Sequence, residues 1–559
     1  MRTKIKSTPL GLEVRAIAGT YVVLLAFNCD AAYRKNLLGF SIQRTDHTNG
    51  ESIWLRGGKH FDLPNSDAGD DNSSRTDPFQ KFHWGDYTTK AGRSYTYVIH
   101  ARQGTPEALS SREEIDVTVT CEDPEEVGSH GHQVHFNRSA AASQAYTARF
   151  GDKNPEEVGE AAFVWLSRGL QEALIAYVDA AQKGETLHLF VYEFEKDSFL
   201  DALKRAKTRG VKLQIIYDAV LHSTKDKKTG KVKQEGPSLK SIPKMKTFGF
   251  SAKTVARGRT GTGLNISHNK FMVLAGEDGK AKRVWTGSTN WTDNGIYGQT
   301  NVGHAIVDPV LAQQYLDWHQ AIWKTSDMSS TDARIAVLKL TNLPPKDQAG
   351  SFLMLSQRKT IEAVTECASR VTAAGKMVCF TAPFAMHNDL EAALVGTPAQ
   401  VFGLLNKDSV VGEELHKAPN TLLAAAAALD KVTALEIWQK EGHEEAMHHS
   451  GVFIHTKIIL VDPLSETPVV ITGSANFSIN SSKNNDENQL FIVGETEVAD
   501  IYLGEFMRMF DHYYFRAHKK RVNKELSQGK KSGFLSPDNS WSDDFFGGGP
   551  KEAERKAFF

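Results

Sequence analysis

The sequence predicts an α/β protein built from two pseudo-symmetric halves with mainly parallel sheets, preceded by an all-β sandwich. Three observations lead there. A group of polar residues, His-x-Lys followed by Gly-Ser-x-Asn, occurs twice in the same order: His268, Lys270, Gly287, Ser288 and Asn290, then His455, Lys457, Gly473, Ser474 and Asn476. Helical and strand-like apolar runs alternate before each copy, which is the pattern of a βαβ unit and so of parallel strands. The first 123 residues lack that alternation and read as short strands between turn-rich stretches.

A chain of 559 residues is too long for one core. The expected divisions are a β-sandwich over 1–123, a linker over 124–159, halves over 160–340 and 341–521, and a disordered tail over 522–559. In the first division the strand-like runs are Leu12–Ile17, Thr20–Phe27, Leu38–Arg44, Glu51–Leu55, Ser94–His100 and Ile115–Thr120. Their order loosely resembles a fibronectin type III domain, and such a module could dock a protein partner or a membrane surface. Residues 66–75, rich in Asp, Asn and Ser, read as a solvated loop. The linker holds His130, His132 and His135, but no cysteine or carboxylate stands at ligand spacing, so no metal is assigned.

The first half opens with a helix over about 160–183, whose apolar face runs through Phe163, Leu166, Leu170, Leu174 and Val178. Strand, helix and strand follow at Leu187–Phe194, Ser198–Arg209 and Val211–Tyr217. The basic, glycine-rich stretch Arg257-Gly258-Arg259-Thr260-Gly261 then leads to His268 and reads either as an entrance loop for an anion or as a solvated loop. The second half repeats the order with a helix at Thr360–Ala374, a strand at Met377–Ala382, a helix near Asp389–Val395, a strand at Ala399–Leu405 and a further helix at Thr421–Ala427. A closing amphipathic helix spans Ile501–Lys520. The tail is rich in Gly, Ser and Lys, with Trp541, Phe545 and Phe546 as a short apolar motif.

In each copy the histidine and lysine stand two residues apart beside an apolar run, so both side chains face one way on a strand. The Gly-Ser turn brings a hydroxyl and an amide to the same end of the sheet. A base, a cation and neutral donors together suit a phosphate, and a histidine can attack phosphorus or protonate a leaving oxygen. Internal repeats of this kind pair around a pseudo-twofold axis, which would bring two histidines and two lysines to the seam and make the chain a monomer through duplication.

The doubled His-x-Lys, with Asp462 following Lys457 after four intervening residues and Gly-Ser-x-Asn after it, resembles the phospholipase D superfamily over roughly Ala161 to Arg521. That resemblance implies a phosphohistidine mechanism without a metal or cofactor. His268 would be the nucleophile and His455 the general acid. Lys270, Lys457, Asn290, Asn476, Ser288 and Ser474 would hold the phosphate, Asp462 belongs to the catalytic signature, and Glu487 would orient an imidazole. The first half departs from the pattern: Ala275 stands where the aspartate should be, and Thr300 stands opposite Glu487 in the alignment.

Composition narrows the substrate only in part. The net charge of −1 gives no global sign of a nucleic-acid partner, though a local groove could override it. No run approaches the roughly 20 apolar residues of a membrane span, and there is no signal-peptide core. A cytoplasmic protein, or one secreted without a conventional signal, is expected. Four scattered cysteines suggest free thiols. A phospholipid-hydrolysing phosphodiesterase is the favoured reading. A metal-independent nuclease and a weakened phosphate- or partner-binding module are the alternatives.

Overall fold

The computed structural model describes residues 1–63, 72–128, 130–225, 231–426, 433–441, 452–528 and 533–559. Part of the polar loop expected over 66–75 lies outside them. The N-terminal region forms two antiparallel four-stranded sheets. One contains Glu13–Ala18, Val23–Asn28 and His83–Asp86, and the other Gly39–Asp46, Ser94–Thr105 and Ala108–Thr120. Alternate residues of these strands close a shared core in which Phe27 stacks on Phe40 with ring centroids 4.6 Å apart.

Two seven-stranded sheets follow, with the same internal order. In the first, Thr186–Val191 pairs in parallel with Lys212–Asp218, which pairs in parallel with Ala256–Arg259. In the second, Met377–Ala382, Gln400–Leu405 and Thr421–Ala425 repeat that arrangement. The other four strand pairs of each sheet are antiparallel, so the expectation of mainly parallel sheets is corrected: both sheets are mixed. The reason is local. Phe271–Ala275 turns into Ala281–Gly287, and Ile459–Val461 into Val469–Gly473, through connections too short for a crossover.

Several expectations change at the level of single elements. The stretch from Thr421 is a strand through Ala425, despite its alanines. The helix at 160–183 is two helices, Glu160–Ser167 and Leu170–Asp179, broken where Arg168 and Gly169 take φ of 49° and 90°. The linker histidines are not in a linker, since His132–Phe136 is an edge strand of the first sheet. His132 Nδ1 and His304 Nε2 are 2.7 Å apart there, and burial pushes the His132 imidazole down to about 3.

The closing helix runs from Thr496 to Ser527, and residues 501–510 are all buried, so it is a central rod and not an amphipathic cover. Its side chains join one core with both sheets and the N-terminal region. In the stretch expected to be disordered, Asn539–Phe546 and Pro550–Ala557 are helical. Trp541 and Phe545 lie 5.4 and 5.2 Å from the Phe82 ring, so the tail finds its apolar partners on the N-terminal region. Among the described residues no helix is long and apolar enough to cross a membrane.

Candidate active site

The two sheets meet at the strand ends that carry their repeated motifs. The Ser267–His268 segment lies parallel to Asp486 of the other half, with the His268 amide donating to Asp486 O at 2.9 Å. Its twin does the same in reverse: Ile454 pairs with Thr300, and the His455 amide donates to Thr300 O at 3.3 Å. Neither His-x-Lys lies inside a strand ladder. Each forms the extended lead-in to one, at Phe271 and Ile459. The turns before Ser288 and Ser474 require glycine: Gly287 and Gly473 have φ of 136° and 131°, and a Cβ would come within 2.2 Å of Val302 O and 2.5 Å of Asn488 O.

Each imidazole is fixed by a residue from the opposite half. His268 Nδ1 lies 2.9 Å from both carboxylate oxygens of Glu487. His455 Nδ1 lies 2.9 Å from Asn301 Oδ1. The Asn301 amide is oriented by Nδ2 donating to Gly295 O at 2.8 Å, so its oxygen faces His455 and the Nδ1 of that ring carries the proton. The two serines support these partners. Ser474 Oγ donates to Glu487 Oε2 at 2.7 Å and Ser288 Oγ to Asn301 Oδ1 at 2.8 Å. Their hydroxyls are thus engaged with the partners of the imidazoles.

The lysines are almost fully buried, and each ammonium donates to the carbonyl of its own histidine, Lys270 at 2.9 Å and Lys457 at 2.6 Å. Lys270 also sits 4.9 Å from the centre of the Tyr192 ring, which meets His268 edge-to-face at 4.8 Å. Asn290 Nδ2 donates to Glu193, while the Oδ1 atoms of Asn290 and Asn476 are buried without a hydrogen-bond partner. Burial pushes the His268 imidazole down to about 4; Glu487 opposes this and the two lysines add to it. His455 is driven well below the ordinary range by burial, then by Lys457, Lys270 and His268. The Lys457 ammonium is lowered by burial and by Lys270, against the pull of Glu487 and Glu193. Burial pushes the Glu487 carboxyl up, but His268, Lys270 and the Ser474 hydroxyl outweigh it and hold it below its ordinary value.

Asp462 is not part of this cluster. It lies at the far end of its strand with φ of 44°, and its carboxylate accepts the amides of Gly375, Lys376 and Met377 at 2.7, 2.7 and 2.9 Å. Its expected catalytic role is therefore corrected to a turn clamp. Ala275 holds the matching register opposite Thr186, where Glu185 takes over by accepting the Gln182 amide at 2.7 Å. The position equivalent to Glu487 is Asn301 and not Thr300, because Ser288 and Ser474 each reach a partner 13 residues on. That equal spacing was present in the sequence. The stretch Arg257–Gly261 is not one loop: Arg257 to Arg259 lie in the strand Ala256–Arg259, and Thr260 just beyond it is exposed. Arg259 is fully buried and its Nε donates to Asp486 at 2.7 Å, and Arg257 stacks on Trp323.

Tyr192 and Glu193 carried no motif and were missed, as was a further matched pair behind the histidines. Asp218 Oδ1 accepts the Ser267 amide at 2.7 Å, and Asn406 Oδ1 accepts the Ile454 amide at 3.3 Å. Among the described residues no group of three or more His, Cys, Asp or Glu side chains is arranged to hold a metal ion.

A twofold-related pair of His-Lys sites, each completed from the opposite half, defines the class of protein. A family model described as "Cardiolipin synthase, PLD-like domain" matches residues 174–323 and 406–510, so both halves carry a stretch similar to that phospholipase D-like domain. Solved structures similar to it include a phosphatidylserine synthase from Haemophilus influenzae Rd KW20, at 11% identity over 65% of this chain and 92% of that one, with a TM-score of 0.41. Nuc, a phospholipase D family member from Salmonella typhimurium, is 23% identical over 28% of this chain and 86% of its own, with a TM-score of 0.21. A polyphosphate kinase from Porphyromonas gingivalis is 12% identical over 61% of this chain, with a TM-score of 0.37, and the match spans only 45% of the kinase. No curated protein matches the chain.

Proposed function

We propose that the chain cleaves a phosphodiester, with a phospholipid as substrate, by two in-line displacements through a phosphohistidine. The observation that carries this reading is the crossed pinning of Nδ1 in both imidazoles, which leaves each Nε2 for the chemistry. His268 Nε2 attacks phosphorus while the bond to the leaving oxygen breaks, and His455 passes its Nε2 proton to that oxygen. The covalent adduct is an N-phosphorylated imidazolium, and Glu487 supplies the charge opposite it. His455, now neutral, takes a proton from the acceptor hydroxyl, whose oxygen displaces His268 from phosphorus. Water as acceptor makes the enzyme a hydrolase, and an alcohol makes it a transferase.

Lys270, Lys457, Asn290 and Asn476 are assigned to the phosphate oxygens. An anion between the two lysines also lifts the imidazoles by opposing the lysine charges that lower them, which readies His455 as an acid. The family's model description, which names a cardiolipin synthase, supports a lipid substrate over a nucleic acid.

The test is rapid quenching with an aryl phosphodiester in the presence of a chelator, followed by mass analysis of the His268 peptide. The adduct should accumulate in His455→Asn and be absent in His268→Asn. An adduct on His455 instead would reverse the two roles, and turnover surviving both substitutions would sink the mechanism. Running phosphatidylcholine vesicles beside DNA then decides the substrate.

A further inference from the structure

The strand Lys212–Asp218 ends at the carboxyl that supports the His268 segment, and three residues later the chain enters a hairpin, His222–Lys225 paired with Val232–Glu235. The register Lys225↔Val232 and Ser223↔Gln234 puts Leu221, Ser223, Lys225, Val232 and Gln234 on one face. All five are exposed, Leu221 at 46% and Val232 at 64%, whereas Glu235 on the other face is buried. The helix Ser238–Thr247 comes next and buries Ser238, Ser241 and Met245. Leu239, Ile242 and Lys246, at i, i+3 and i+7, share its outward face, with the two aliphatic residues 50% and 45% exposed. The helix sits at the rim of the site, because Ser241 Oγ accepts the amide of Phe194, the residue after Glu193.

Charge follows the same surface. Among the described residues of 221–247 there are six lysines (225, 231, 233, 240, 244 and 246) and one carboxylate, the buried Glu235. The whole chain is nearly neutral, so this basic character is local. Exposed aliphatic side chains interleaved with lysines suit the boundary between headgroups and acyl chains, where apolar area and attraction to anionic lipid add together. A nucleic acid would use the lysines but would leave Leu221, Val232, Leu239 and Ile242 in water.

We infer that the paired strands His222–Lys225 and Val232–Glu235 and the outward face of the Ser238–Thr247 helix dock on an anionic phospholipid bilayer and hold its headgroups at the mouth of the His268 site. This rests on the phospholipid reading above. The test is co-sedimentation of the full chain with phosphatidylcholine vesicles containing phosphatidylglycerol, with phosphatidylcholine vesicles alone, and retention on duplex DNA. The variants are Leu239→Ser/Ile242→Ser and Lys225→Glu/Lys246→Glu. Wild type should prefer the anionic vesicles, and each double variant should lower that partition about tenfold or more, while turnover of a soluble aryl phosphodiester and thermal unfolding stay unchanged. The proposal is overturned if wild type ignores anionic vesicles, if Leu239→Ser/Ile242→Ser binds as wild type does, or if DNA is held in preference. Vesicle binding lost in the variants without any phosphodiester turnover keeps the docking surface and removes the reaction. Soluble turnover without vesicle binding does the reverse.

Discussion

His268 and His455 occupy the same place in two copies of one fold, yet their surroundings differ in kind. Around His268 stand three carboxyl side chains: Glu487 on the ring, Asp486 beside the backbone and Asp218 behind Ser267. Around His455 the corresponding positions are Asn301, Thr300 and Asn406. Each acid is matched by a neutral group in the equivalent place, so the geometry of the duplication is kept while its charge is not. A nucleophilic histidine becomes a fixed cation once phosphorylated, and a buried cation is costly without an opposite charge. A histidine that gives and retakes a proton must return to neutrality, and an amide supports both of its states.

Exchanging the ring partners tests this contrast most severely. Glu487→Gln keeps the hydrogen bond to His268 but removes the charge, and should lower kcat about a hundredfold or more. Asn301→Gln should cost much less, about tenfold, since the partner stays neutral. Asn301→Asp should raise the His455 pKa and move the alkaline limb of the kcat profile upward. Equal losses for Glu487→Gln and Asn301→Gln would mean that the two partners only hold the rings in place.

Asp462 and Ala275 give the next test, with an effect on stability in place of activity. Asp462→Ala strips an acceptor from three amides and puts alanine at a positive φ, so about 1–3 kcal/mol of stability should be lost in chemical denaturation. Its kcat should match wild type. Ala275→Asp should not raise kcat, since that position lies at the same remote end of the other sheet. A large fall in kcat for folded Asp462→Ala would return that residue to the active site.

The repeat, its histidines and lysines, and strands such as Met377–Ala382 were legible because the chemistry and the apolar runs are local. What was not legible depended on distant partners. Buried strands look alike whether their neighbours run parallel or antiparallel, so the sheet direction was misread. Ala424 and Ala425 favour a helix by propensity, but pairing with Gln400–Leu405 makes them part of a strand. Arg259 looked solvated because its partner Asp486 is 227 residues away, and the tail looked disordered because Phe82 is needed to bury Trp541 and Phe545.

The finest test of the charged and neutral sides concerns Asp218 and its counterpart Asn406. Burial, reinforced by Asp486, raises the Asp218 carboxyl from 3.8 to about 8, and its Oδ2 is buried without a hydrogen-bond partner. The folded state therefore holds a proton that the unfolded state releases between these two values. In that window the unfolded state binds fewer protons, so this group makes stability fall as pH rises, and its full cost is reached above about pH 8. Asp218→Asn mimics the protonated form and keeps the acceptor for the Ser267 amide, as Asn406 does for Ile454. The stability of the variant relative to wild type should widen between about pH 4 and pH 8 and then level off, in denaturation curves taken across that range. Parallel curves would mean that Asp218 is ionised in the fold. The His268 side would then carry a full negative charge at that position, and the two sides of the site would differ by one charge more.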